Sequence, residues 1–260
     1  MIDPLMFIAL LPAVVLVVYI CRKDRTDKEP PALIAKLLGY GVLSCLPAIV
    51  VELILSAIIE RLNVRNAYLG YFLEAFVVAG LTEETCKFLF LRTTWRNPAF
   101  DYQFDAIVYA VMVALGFAAF ENVKYVYSYG FATGIVRAVT AVPGHAIFGV
   151  FMGYFYGYAK LSDYWGRGED RKAYLALSVV VPVLLHGCYD FLAFAQESDS
   201  RFTLLFYAYL IALYVFGIRR VNRSARADRR VTRETVFDYF RRMQYPMPPQ
   251  YRDRNDDFWR

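Results

Sequence analysis

The chain has 260 residues, of which 58% are hydrophobic, with a mean hydropathy of +0.35 and a formal net charge of +5. So high an apolar fraction excludes an ordinary soluble domain and points to a polytopic membrane protein, whose length suits one helical bundle with short loops. The four cysteines show no C-x-x-C spacing, which excludes a zinc ribbon and gives no sign of a secreted disulfide framework.

Taken in order, the apolar runs predict about seven membrane-spanning helices, over 5–21, 33–59, 71–91, 106–127, 135–158, 173–194 and 202–218. The runs are continuous and not alternating, so they predict helices and not a barrel. The expected fold is therefore all-α. A polytopic transmembrane bundle occupies 1–218, and an arginine-rich tail follows over 219–260. The first run lacks a basic leader and a small-residue cleavage site, and reads as a retained anchor. The second is long enough to tilt, or to break near Pro47.

Positive charge alternates between loops. Arg22, Lys23, Arg25 and Lys28 follow the first run, Arg92 and Arg96 the third, and Lys160, Arg167, Arg171 and Lys172 the fifth. The opposite loops hold Arg61, Arg65 and Arg201. The positive-inside rule then sets the N-terminus outside and the tail in the cytoplasm of a multi-pass cell-membrane protein. The tail reads as an anchor against anionic lipid head groups. Within it an amphipathic helix is expected over 232–244, with Val236, Phe237, Phe240 and Met243 on one side. Nothing beyond charge suggests nucleic-acid binding, and none is expected.

Chemistry enters where ionisable residues interrupt the apolar runs. A charged group at a helix centre in a bilayer is unfavourable by about 2.5–3.5 kcal/mol on insertion scales, so such groups face partners or a wet cavity. Glu83, Glu84 and Lys87 lie in the third run, Glu121 and Asn122 in the fourth, His145 in the fifth, and His186 with Asp190 in the sixth. The chain has only two histidines, and both are in this set. Glu84 lies 13 residues into its run, Glu121 15, His145 10 and His186 13. At about 1.5 Å per residue, the four fall near the middle of their own spans and can share one layer. Small residues such as Gly80, Gly144 and Gly187 flank them, and Gly149-x-x-x-Gly153 forms a packing ridge.

Two mechanisms suit this set. Imidazoles and a carboxylate can hold Zn²⁺, with a second carboxylate taking a proton from water. Alternatively, a carboxylate activates water with no metal. Glu83 and Glu84 stand about 100° apart on a helix, and Lys87 can pair with either. His186 and Asp190 are at i, i+4, so Asp190 can fix the imidazole tautomer.

Glu83-Glu84-x-x-Lys87, Asp105-Ala-Ile-Val-Tyr109, Gly116-Phe117-Ala-Ala-Phe-Glu121-Asn122, Gly144-His145-Ala-x-x-Gly149 and His186-Gly187-x-Tyr-Asp190, in that order, resemble the PrsW family of membrane-embedded proteases. That family is related to CAAX prenyl-endopeptidases and bacteriocin-immunity-like membrane proteins. In the CAAX relatives the second motif carries a histidine where this chain has Glu121, and the last ends in Asn where it has Asp190. The resemblance implies an intramembrane endopeptidase acting on membrane-anchored protein substrates, such as anti-sigma factors. It implies that Glu83 and Glu84 are essential, with Glu121, His145 and His186 completing the site. The expected metal set is Glu84, Glu121, His145 and His186. Glu83, Glu84, Lys87, Asn122 and Asp190 are the expected catalytic residues. A proton- or cation-coupled transporter and a non-catalytic scaffold are the rival readings of the same polar groups.

Overall fold

The computed structural model describes residues 3–231. The described residues are mostly helical, and among them the only β-type pairing is an isolated bridge between Tyr102 and Arg230. The helices are α1 (Pro4–Lys23), α2 (Pro31–Arg61), α3 (Ala67–Phe72), α4 (Thr82–Leu91), α5 (Asp105–Tyr129), α6 (Phe131–Val139), α7 (Ala141–Tyr164), α8 (Gly168–Ala195) and α9 (Arg201–Arg226). A π-helical stretch, Leu73–Leu81, joins α3 to α4 without a break.

Burial explains the layout. In α5, 78% of the most apolar stretch is buried, against 17% in α1 and α2 and 22% in α8 and α9. α5 is thus the axis of the bundle. The outer helices expose apolar faces, including Leu53, Ile54, Leu204 and Ile211. Such faces are stable only against lipid. Among the described residues six helical stretches are long and apolar enough to cross a membrane, α6 and α7 counting as one, and the continuous 67–91 rod is the further span expected from the third run. The protein is a multi-pass helical membrane protein.

Three boundaries settle or shift the sequence expectation. α2 passes through Pro47 unbroken for 31 residues, roughly 46 Å of helix, so it tilts to fit a core of about 30 Å. The fifth run divides at Thr140 into α6 and α7, so His145 sits one turn into α7. The last span continues to Arg226, and the chain beyond it packs back on the bundle: Asp228 Oδ1 accepts from Phe104 N (2.9 Å), capping α5, and Gln103 N donates to Arg229 O (3.0 Å). The amphipathic helix expected over 232–244 lies outside the described residues.

Glycine sets the spacing around the site. A Cβ on Gly187 would lie 2.3 Å from the Phe76 ring, and one on Gly80 would lie 3.2 Å from Val183 O. α8 and the π-helical stretch therefore approach at backbone distance, just before Glu83. On the other side, a Cβ on Gly153 would lie 2.3 Å from Ala106 O, so the expected small-residue ridge of α7 presses on α5.

Candidate active site

The π-helical register ends where the carboxylates begin. Single π turns recur at functional sites because they re-aim the side chains that follow. Thr82 Oγ1 contacts Val77 O five residues back, in keeping with that register. The next turn aims Glu83, Glu84 and Lys87 inward, and all three are buried.

The Lys87 ammonium is the hub. Its Nζ lies 2.7 Å from Glu84 Oε1, 3.0 Å from Glu83 Oε2 and 3.1 Å from His145 Nδ1, and 4.0 Å above the Phe117 ring centroid. Since the ammonium only donates, His145 Nδ1 accepts; Nε2 then carries the ring proton and donates to Glu121 Oε2 at 3.0 Å. α8 brings His186 to the opposite side. Its Nδ1 is 2.9 Å from Glu84 Oε1 and 3.9 Å from Glu83 Oε2, and its Nε2 is 3.2 Å from Asp190 Oδ2. Asp190 thus holds one ring nitrogen and leaves Nδ1 facing the carboxylates, as the i, i+4 spacing predicts. The two imidazoles stand 5.1 Å apart and perpendicular, and Phe148 stacks on His186 at 4.9 Å.

Glu83, Glu84, His145 and His186 each offer a donor atom, and the four atoms lie within 4.8 Å of one another. This is a nitrogen and oxygen set of the kind that holds Zn²⁺. Charge supports the fit. Among the groups in direct contact, the carboxylates of Glu83, Glu84, Glu121 and Asp190 face only two fixed cations, Lys87 and Arg137. Both ring nitrogens of His186 face carboxylate oxygens, so a metal on Nδ1 would take the place of the proton that Nδ1 otherwise donates to Glu84. Glu84 Oε2 is buried with no hydrogen-bond partner, and an orphaned carboxylate oxygen at such a depth calls for a cation or a donor.

Glu121 lies beside this compact group and not within it. Its Oε2 accepts from Arg137 Nη2 at 2.7 Å as well as from His145, and Glu83 takes its place in the compact group. Asn122 is buried but turned toward α1: its Nδ2 donates to Ala9 O (2.8 Å) and its Oδ1 accepts from Arg137 Nε (3.0 Å). Arg137 itself escaped the sequence reading. It lies inside the apolar run 135–158, on α6, and its guanidinium stacks on Tyr125 at 3.9 Å. An arginine in an apolar run, like the glutamates, was the available signal. Phe117 and Phe148, within the motifs, were likewise not marked as walls of the site.

The model of the family described as PrsW family intramembrane metalloprotease matches residues 29–218. The chain belongs to the PrsW family. It is 34% identical to Protease PrsW of Bacillus subtilis over 214 residues, covering 82% of this chain and 92% of that protein. It is 35% identical to Protease PrsW of Oceanobacillus iheyensis, over 82% of this chain and 92% of the relative. The Geobacillus kaustophilus Protease PrsW is 34% identical over 82% of this chain and 88% of its own length. No solved structure gives a significant match. As a PrsW-family member the protein is a membrane protease, and the possible metal-binding group lies within the matched region.

Proposed function

We propose that the protein hydrolyses a peptide bond of a membrane-anchored protein substrate, at a site where His145, His186 and Glu84 hold a Zn²⁺ ion and Glu83 is the general base. The observation that carries this reading is the convergence of the four buried donors within 4.8 Å. Bound there, the ion would supply Lewis acidity toward water and the scissile carbonyl. Glu84 is assigned to the metal because its Oε1 already faces His186 Nδ1 while its Oε2 lacks a partner. Glu83 has fewer contacts and slight exposure, which suits a carboxylate that takes the proton of the attacking water. The water oxygen adds to the carbonyl carbon, the C–N bond then breaks, and the proton passes to the leaving amine. Asp190 orients His186, and Glu121 with Arg137 orients His145. Asn122 acts through Arg137 as a positioning residue.

A second reading keeps the carboxylates and dispenses with the ion. The Lys87 ammonium already sits among the donors that would surround a cation. In that form Lys87 offsets the charge of Glu84 and faces the developing oxyanion, while Glu83 still activates water.

Orientation and substrate follow as proposals. The basic loops support an outside N-terminus and a cytoplasmic tail. Glu121 and Asp190, with side chains 20% and 17% exposed, are the open flank of an otherwise sealed site. Both lie toward the ends of α5 and α8 that are remote from the basic loops, so we assign entry of water and substrate to that side. A single-pass protein such as an anti-sigma factor is the expected substrate. Glu83→Ala, Glu84→Ala and His145→Ala should each abolish cleavage of such a protein in reconstituted vesicles while the chain still inserts and runs as a monodisperse species. Retained cleavage in all three variants would exclude this site.

A further inference from the structure

At the basic end of the bundle, remote from the carboxylate site, a pocket of about 400 Å³ opens between α5, α7 and α9. Its charged wall is one face of α9: Arg220, Arg223, Ser224 and Ala227 recur at i, i+3, i+4 and i+7. Arg229 lies on the same rim. The opposite wall is aromatic and apolar, with Tyr154, Tyr158 and Ile107. Among the described residues no carboxylate lines the pocket. Arg220 stacks on Tyr154 at 4.0 Å, and Arg229 Nε donates to the Gln103 amide at 3.0 Å. Among the described residues neither Arg220 nor Arg223 forms an ion pair with a carboxylate. Two guanidiniums one turn apart repel each other, and the described residues place no anion between them. A bidentate guanidinium fork matches a phosphate.

We propose that this pocket binds the phosphodiester head group of an anionic phospholipid from the membrane leaflet at the basic end. The location chooses lipid over free phosphate. The pocket is roofed by three helices that cross the membrane, and the apolar wall continues from the arginines toward their spanning stretches. The positive-inside asymmetry sets this end on the cytoplasmic side, where anionic lipids attract clustered arginine. The binding expected of the basic tail thus acquires a defined place on α9. It is independent of the hydrolytic chemistry.

The test uses the full-length protein in neutral detergent, with thermal unfolding followed against added short-chain phosphatidylglycerol, short-chain phosphatidylcholine or sodium phosphate. Phosphatidylglycerol should raise Tm saturably; phosphatidylcholine and phosphate should not. The pair Arg220→Gln with Arg223→Gln should weaken the phosphatidylglycerol response about tenfold or more, as expected for loss of charge-assisted hydrogen bonds. Arg61→Gln, at the other end of the bundle, should leave it unchanged. The charge-conserving pair Arg220→Lys with Arg223→Lys guards against misfolding: it should keep the lipid-free Tm and still weaken the response by losing the bidentate fork. Equal responses in wild type and both paired variants would overturn the proposal. So would an equal response to phosphatidylcholine, which would assign the effect to acyl chains, or to sodium phosphate, which would assign it to a free anion.

Discussion

The Nζ of Lys87 lies 3.1 Å from Nδ1 of His145, so a cation on α4 is held by a ring nitrogen on α7 together with the carboxylates of its own helix. Three of the donors that could take a metal are thus already arranged around a positive charge. Lys87 and a metal ion cannot both occupy that centre, and binding of one requires the other to move.

Lys87→Met tests that competition. Removing one partner of a buried ion pair typically destabilises by about 3–5 kcal/mol, because the remaining charge is left uncompensated. The metal-free variant should therefore unfold at lower temperature than wild type. Added Zn²⁺ should then raise its Tm by more than it raises that of wild type. A smaller Zn²⁺ response than wild type would show that Lys87 supports the metal and does not compete with it.

Arg137 bridges Glu121 and Asn122 from α6, and the role proposed for it is positioning. Arg137→Gln removes charge-assisted hydrogen bonds worth about 1.5–3 kcal/mol, so kcat should fall roughly tenfold to a hundredfold with KM little changed. Arg137→Lys keeps the charge and should recover part of the loss. A rise in KM alone would place Arg137 in substrate binding instead.

Much of this site was legible because charge inside an apolar run is hard to explain without a partner. Glu83, Glu84, Glu121, His145 and His186 stand out on that ground, and the similar depths of Glu84, Glu121, His145 and His186 lead to the expectation of one shared layer. The fold class was legible for the same reason, since apolar runs of spanning length leave few alternatives. What composition does not encode is backbone register. The π-helical stretch over Leu73–Leu81 and the break at Thr140 sit in sequence as apolar as their surroundings. Arg137 lies just before that break, near the start of what reads as one apolar run, so its pairing with Glu121 does not show in the sequence.

The basic end of the bundle carries a pH dependence of its own. Burial raises the Asp24 carboxyl to about 6 and the Glu29 carboxyl to about 7. Asp24 Oδ1 and Glu29 Oε2 are both buried without partners. A carboxyl whose folded pKa exceeds its unfolded value binds its proton more tightly in the folded state. Its stabilising contribution is complete below the unfolded pKa of about 4 and is lost as pH rises through about 6 to 7. Tm should therefore fall between pH 5 and pH 8, and the double variant Asp24→Asn, Glu29→Gln should flatten that slope and be the more stable protein at pH 8. An unchanged slope in the variant would assign the pH dependence to other groups.

The most direct test of the account is the metal content of the purified protein, measured beside its peptidase activity. The four-donor site predicts about one zinc per chain, lost in His145→Ala and His186→Ala, with cleavage abolished by a chelator and restored by Zn²⁺. Full cleavage by protein shown to be free of metal would contradict the zinc site and leave Glu83, with Lys87 in the cation's place, as the hydrolytic centre.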